Sequence, residues 1–174
     1  MKKLLITCAL AYSASCNALD VSPISVNEPL DIESMTNCGY FYEYATGLYA
    51  QALTDAIKNK SIKSTKDLKA SEVFTNYQMS MKSYMTLTSY LITRKISLEN
   101  EVKYEEAAVL LENSDKSVAK SVNDKCFDYV ESAKSLNLTT VQNKIDKETN
   151  PSYSADVLWK SSKDRKSTRL NSSH

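Results

Sequence analysis

The stretch that most constrains the fold is residues 36–57, TNCGYFYEYATGLYAQALTDAI, which holds both glycines of the chain and one of its four cysteines. Its apolar residues recur every three or four positions, and this spacing places them on one continuous face of an α-helix. They are Cys38, Phe41, Tyr42, Ala45, Leu48, Tyr49, Ala52, Leu53 and Ala56. The pattern predicts a first long helix with Cys38 in its buried face and Asp31 or Ser34 as its N-cap.

Residues 1–18 have the build of a secretory signal peptide. Two lysines precede the apolar run 4–12, and small residues then lead to Cys16 and Ala18. The run is too short to cross a bilayer as a helix, so we expect cleavage after Ala18 and a mature protein that is periplasmic or secreted. The alternative is a lipoprotein signal with a lipid anchor at Cys16, although Ser13 stands where such signals usually carry leucine.

The far end of the chain, residues 164–174, reads DRKSTRLNSSH. This sequence corresponds at every codon to the translation of a common sequencing adapter, so we interpret it as an artefact and expect the natural chain to be cut off near Lys163. A disordered tail containing serine and arginine is the alternative. Residues 19–163 are left, and they are long enough for a single domain with a hydrophobic core.

Removing both ends changes the charge and the set of functions that the chain can perform. Of the 22 Lys and Arg 17 remain, and of the 21 Asp and Glu 20 remain, so the net charge becomes −3. The charges are spread along the chain and form no cluster of Lys and Arg, so the sequence predicts no binding of nucleic acid or anionic membrane. The only histidine, His174, is also lost. Without histidine, and without a phosphate or calcium loop, we expect no catalytic, metal or cofactor site.

The residues on either side of the first helix predict an extended arm and a second helix. Pro23 and Pro29 lie among Ser, Asn and Asp, which is typical of an extended N-terminal arm. After the first helix, apolar residues again follow the helical period over residues 70–96. Ser64 or Ser71 is the predicted N-cap of this second helix.

Two further helices follow. The third is predicted to end near Glu112, on an apolar face formed by Val102, Ala108, Val109 and Leu111. The fourth covers residues 118–136 and includes the second mature cysteine, Cys126, in its apolar stripe. A single helix over residues 98–136 is the alternative, because nothing in the intervening Asn-Ser-Asp sequence forbids a continuous helix.

These patterns predict an all-α fold, an up-and-down bundle of four main helices with an extended N-terminal arm. No segment alternates as a strand would, and neither glycine is placed at a hairpin turn. Cys38 and Cys126 are the only cysteines left after signal cleavage, and each lies in the apolar face of its own helix. Because export exposes them to an oxidising compartment, we predict that they form a disulfide.

The side of the first helix away from its apolar face predicts a shallow groove. Five residues on this side fall within a sector of about 80° on a helical wheel, and Glu43 is the only large one among them. They are Gly39, Glu43, Gly47, Ala50 and Thr54, with Tyr40 and Tyr44 at the rim. Glycine inside a helix is unfavourable, so two of them indicate close approach by another segment.

Two hypotheses explain the groove. In the first it is filled internally, by the arm over residues 23–30 or by elements after Leu136. In the second it receives a partner segment or a small cationic ligand, with Glu43 at its centre.

The segment CGYFYEYATG, residues 38–47, resembles the Cys, Gly-Tyr and Gly pattern of small periplasmic immunity proteins, which neutralise toxins injected by neighbouring bacteria. The resemblance covers about ten residues. The chain departs from that family in its longer helices, its Cys-to-Tyr spacing and its lack of a second disulfide. No functional residue is therefore carried over from the family to this chain.

For function, the sequence favours an exported binding or interaction protein of the bacterial envelope, such as an inhibitor, adaptor, chaperone or immunity factor. Such a protein needs a stable surface for an envelope protein partner and no catalytic group. The alternatives are a small-ligand-binding bundle and a carboxylate- and tyrosine-dependent enzyme centred on Glu43, which stands beside Tyr40 and Tyr44.

Overall fold

The computed structural model of the protein describes residues 19–25, 29–136, 155 and 158–160. Within these ranges the chain is all-α and has no strand, as the sequence predicts. The predicted signal peptide, its Cys16 and the tail 164–174 lie outside the described residues. The helices are α1 (Ile32–Lys58), α2 (Thr65–Ala70), α3 (Glu72–Thr93), α4 (Glu101–Asn113) and α5 (Lys116–Leu136). Residue 155 and residues 158–160 are also helical.

Helix α1 begins before the predicted stretch because Asp31 is its N-cap. The Asp31 carboxylate accepts a hydrogen bond from the backbone N–H of Glu33 at 3.0 Å. Ser34, the other predicted cap, lies inside the helix, where its hydroxyl donates to the Asp31 carboxylate at 2.6 Å. The cap satisfies a backbone donor that the first helical turn leaves free.

Both predicted serine caps are used, and each starts its own helix. The Ser64 hydroxyl accepts from the backbone N–H of Asp67 at 3.1 Å and begins α2. The Ser71 hydroxyl accepts from the N–H of Phe74 at 3.2 Å and begins α3. The connection between α1 and α3 thus contains a short helix, which buries Leu68.

Two helices, α4 and α5, form in place of the single helix over residues 98–136. The Asn100 side chain caps α4 by accepting from the N–H groups of Val102 and Lys103. Ser114 then takes an extended conformation and ends the helix. The Asp115 carboxylate accepts from the N–H of Ser117 at 2.7 Å, which caps the first turn of α5.

The predicted buried face of α4 is wrong in part. Helix α4 buries Ala107 and Leu110, whereas Val102 is 61% exposed and Val109 is 44% exposed. In α1 one predicted core position, Ala52, is also exposed. Helix α4 carries two sets of apolar residues on different sides. The set that faces α1 and α5 is buried in the core, and the other set is exposed.

Main helices that follow one another in the chain alternate in direction. Helix α3 is antiparallel to α1, since the C-terminal part of α1 packs with the N-terminal part of α3. Helix α4 follows the direction of α1, because Tyr40 bonds to Asn100 and Tyr44 to Glu112. Helix α5 reverses again, as Cys38 bonds to Cys126, and Ser22 of the arm bonds to both Ser34 of α1 and Tyr129 of α5. The arrangement is the predicted up-and-down bundle.

The core has two parts along the length of α1. The larger part surrounds the predicted disulfide, Cys38–Cys126, which is present with Cα atoms 5.3 Å apart. The smaller part lies at the other end of α1 and collects Leu53, Ile57, Ile62, Leu68, Phe74, Tyr77 and Ala155. No helix among the described residues has the length and apolar character needed to cross a membrane.

The N-terminal arm lies between α1 and α5, next to the disulfide. Leu19 and Val21 are each only 2% exposed. The Lys125 ammonium donates to the carbonyl of Val21 at 2.8 Å, and the Tyr129 hydroxyl donates to the carbonyl of Ser22 at 3.1 Å. Because each of these bonds satisfies a backbone carbonyl of the arm, the extended chain can be packed without a partner strand.

Candidate functional site

The predicted groove on α1 is covered at one end and open at the other. A β-carbon added to Gly39 would lie 2.8 Å from Cδ1 of Leu98, in the loop between α3 and α4. A β-carbon added to Gly47 would meet no described residue within 4 Å. Close approach therefore explains the glycine at position 39, and the atoms nearest to that position belong to Leu98. Residues 26–28 of the predicted arm and residues 137–154 lie outside the described residues. The surface around Gly47 is open.

Tyr40 is a buried residue, and it does not form a rim. Its side chain is 3% exposed, and its hydroxyl accepts a hydrogen bond from the backbone N–H of Asn100 at 2.8 Å. Asn100 is the N-cap of α4. Tyr40 thus fixes where α4 starts against α1.

Tyr44 lies at the surface and links α1 to α4. Its hydroxyl donates a hydrogen bond to the carboxylate of Glu112. Its ring meets the ring of Tyr104 edge to face, with centroids 5.2 Å apart and planes at 69°. The bond to Glu112 raises the pKa of Tyr44 to about 12. The two rings form a fixed aromatic pair that needs no rearrangement to be contacted.

Glu43, the centre of the predicted groove, is half-buried on α1. Burial raises the pKa of its carboxyl above the usual range. Glu43 has no ion pair among the described residues. Within the same residues no group of three or more His, Cys, Asp or Glu is arranged to hold a metal ion.

The outer side of α4 is the surface that sequence reasoning missed. Val102 and Val109 are exposed and seven residues apart, which brings them within about 20° of each other on a helix. Carboxylates lie on the same side of α4. We call this surface the α4 face, and it consists of Glu101, Val102, Glu105, Val109 and Glu112.

The charge of α4 is strongly negative. The helix carries four glutamates and one lysine, and that lysine, Lys103, pairs with Glu106 at 3.0 Å. Among the described residues no ion pair is found for the three glutamates of the α4 face. Tyr104 and Tyr44 connect this face to the open end of the groove, since Gly47 follows Tyr44 by three residues on α1. A helical wheel with Ala107 and Leu110 on the buried side would have placed Val102 and Val109 on the outer side.

Chemically, the α4 face offers aromatic rings, exposed valines and carboxylates. These groups suit recognition of a cationic, partly apolar surface. They do not include an ordered pair of nucleophile and base such as acyl-transfer enzymes use. Comparison of the chain with protein-family models, curated proteins and solved structures finds no match.

Proposed function

We propose that the protein is an exported binding protein of the bacterial envelope, and that it docks a basic partner protein on the α4 face. The observation that carries this proposal is the exposure of Val102 and Val109 between three glutamates. Helix α4 already packs on the core through Ala107 and Leu110, so the valines on its outer side are available to a partner. Exposed apolar residues surrounded by charge are typical of interaction surfaces.

The charge of the face selects the kind of partner. Its three carboxylates attract Lys and Arg side chains, and opposite charge steers association and excludes acidic partners. An amphipathic helix with basic and apolar residues at helical spacing would present both kinds of group to the α4 face.

Tyr104 and Tyr44 supply the aromatic part of the surface. Tyrosine is enriched at the centres of protein interfaces because one ring gives a large contact area with few rotatable bonds. Here the bond from Tyr44 to Glu112 already fixes the ring. Binding then loses little side-chain entropy at these positions.

Export is supported by two features of the chain. Residues 1–18 have the pattern of a signal peptide. The Cys38–Cys126 disulfide is the kind of bond that persists in an oxidising compartment. Together they favour a periplasmic or secreted partner.

A defined peptide probe tests the charge and the apolar stripe. An amphipathic helical peptide of Lys and Leu should bind the protein with an affinity that falls steeply with salt, and the same peptide with Glu in place of Lys should not bind. The double variant V102K/V109K should lose binding at least tenfold. Equal binding of both peptides would contradict the proposal.

A matched control is available on α5. Val118 is 41% exposed, close to the 44% of Val109, and it lies outside the α4 face. The variant V118K should therefore bind the peptide as the natural protein does. All three proteins should have the same melting temperature, since none of the substituted valines is buried. An envelope protein captured by the natural chain and by V118K, but not by V102K/V109K, would be the partner.

The enzyme alternative centred on Glu43 has less support. Proton transfer by a carboxyl needs a second polar group within hydrogen-bond reach of the reacting atom. The tyrosines beside Glu43 are engaged elsewhere, since Tyr40 bonds to Asn100 and Tyr44 to Glu112. Burial alone accounts for the raised pKa of Glu43.

A further inference from the structure

A cleft of about 540 Å³ lies between α3 and α5, above a floor formed by α1. Tyr42, Ala45 and Tyr49 belong to the floor. These residues face away from Tyr40 and Tyr44, so the cleft and the α4 face are on different sides of α1. The volume falls within the range of small-molecule sites in proteins.

Each wall of the cleft carries one large exposed apolar side chain. Met79 on α3 is 58% exposed and Phe127 on α5 is 47% exposed, and both line the cleft. Covering large apolar side chains at an opening is favourable, because it removes their apolar surface from water. The two walls could thus enclose a flexible apolar chain between them.

The floor end of the α3 wall contains a polar group without a partner. Thr86 is 1% exposed and lines the cleft, and its hydroxyl has no hydrogen bond among the described residues. The other six threonines of α1 and α3 each donate to a backbone carbonyl three or four residues earlier. A buried hydroxyl without a bond is unfavourable, so the exception at Thr86 points to a ligand atom.

The charged residues that line the cleft are lysines. Lys120 pairs with Asp124 at 2.7 Å, and Lys134 pairs with Glu131 at 2.5 Å. Lys82 has no ion pair among the described residues. It lies four residues before Thr86 on α3, so both side chains face the same side of the helix. Met79 lies on that side too, three residues before Lys82.

We propose that this cleft binds an amphipathic monocarboxylate, an alkyl chain with one anionic head. The carboxylate accepts hydrogen bonds from the Lys82 ammonium and the Thr86 hydroxyl. The alkyl chain lies along the α1 floor and covers Met79 and Phe127. The head satisfies the buried hydroxyl of Thr86, and the chain buries the exposed apolar groups.

Three probes separate the head from the tail. Dodecanoate should bind saturably below its critical micelle concentration when titrated into the full protein and followed by calorimetry. Dodecyltrimethylammonium has the same tail and the opposite charge, and it should bind at least tenfold more weakly. Acetate has the head without the tail and should not bind. If the cationic probe binds as tightly as dodecanoate, or dodecanoate does not saturate, the proposal is wrong.

Substitutions identify the two contacts. Lys82→Gln and Thr86→Val should each weaken dodecanoate binding about tenfold, which is the usual effect of losing one hydrogen bond to a charged group. Thr86→Val should also raise the melting temperature of the ligand-free protein, because it removes the unpartnered hydroxyl. Thr86→Ser keeps the hydroxyl and should keep the affinity.

Matched controls lie on the same helices. Thr88 donates to the carbonyl of Tyr84 at 2.8 Å, so Thr88→Val should leave dodecanoate binding unchanged. Lys66 lies on α2 outside the cleft, and Lys66→Gln should have no effect. The V102K/V109K variant should bind dodecanoate normally, which separates this site from the α4 face. Unchanged affinity in both Lys82→Gln and Thr86→Val would overturn the assignment.

Discussion

The side chain of Leu98 occupies the space in which a β-carbon on Gly39 would lie, with its Cδ1 atom 2.8 Å from that position. Leu98 belongs to the loop that leads from α3 into α4, and it packs against the core around the disulfide. The missing side chain at position 39 therefore lets this loop lie directly on α1. Two residues further along, the backbone N–H of Asn100 donates a hydrogen bond to the Tyr40 hydroxyl.

The two glycines of α1 should respond differently to alanine. Gly47→Ala should raise the free energy of unfolding by up to about 1 kcal/mol, because position 47 is open and alanine is the better helix former. Gly39→Ala should not show this gain, since the new methyl group displaces Leu98. Denaturant unfolding of both variants in a Leu98→Ala background provides the check. There the two alanines should have equal effects, and a persistent difference would exclude Leu98 as the cause.

Loss of the disulfide should destabilise the bundle strongly. Cys38 and Cys126 are 88 residues apart in sequence, and the loop-closure model assigns such a link about 4 to 5 kcal/mol of stability. The C38A/C126A variant should unfold at a much lower denaturant concentration than the oxidised protein. The natural protein with reductant should behave like the variant. Equal stability of the oxidised and reduced proteins would show that the bond adds nothing.

Alkaline pH should unfold the protein through Tyr42. Burial is the main cause that raises the pKa of Tyr42 to about 12, from 10.0 in the unfolded chain. The fold therefore favours the neutral phenol. Its contribution to the free energy of unfolding is complete below pH 10 and is lost as the pH rises towards 12. It amounts to at most about 3 kcal/mol.

The Tyr42→Phe variant isolates this effect. Without the hydroxyl, stability should fall less steeply between pH 10 and 12 than in the natural protein. Chemical denaturation at several pH values measures the slope, and tyrosinate absorbance reports the ionisation itself. Identical slopes for the two proteins would rule Tyr42 out as the group responsible.

Glu43 should destabilise the fold when it is charged. Burial raises the pKa of its carboxyl, so the fold favours the protonated form. The stability gained from the protonated Glu43 carboxyl is present at low pH, and it is lost as the pH rises through the pKa of the folded state. Glu43→Gln, which stays neutral, should therefore be more stable than the natural protein at neutral pH and equally stable at low pH. A gain of the same size at every pH would contradict a charge effect.

Much of the fold follows from local sequence. The period of apolar residues defines α1, α3 and α5, and short polar side chains define their starts, as at Ser71. These signals are readable because capping and helical periodicity act between residues that are close in sequence. The disulfide was also predictable, since cleavage of the predicted signal peptide would leave only two cysteines and each lies in the apolar stripe of its helix.

The sequence by itself determined the helical class and the pairing of Cys38 with Cys126, and it included Asp31, Ser64 and Ser71 among the candidate caps. Only the tertiary structure decided which side of α4 is buried and which segment covers Gly39. Both outcomes depend on contacts between residues far apart in the chain, such as Leu98 with Gly39, and no local pattern encodes such contacts. The tertiary structure also decided that the Thr86 hydroxyl is buried without a partner, because its surroundings form only when α3 and α5 pack on α1.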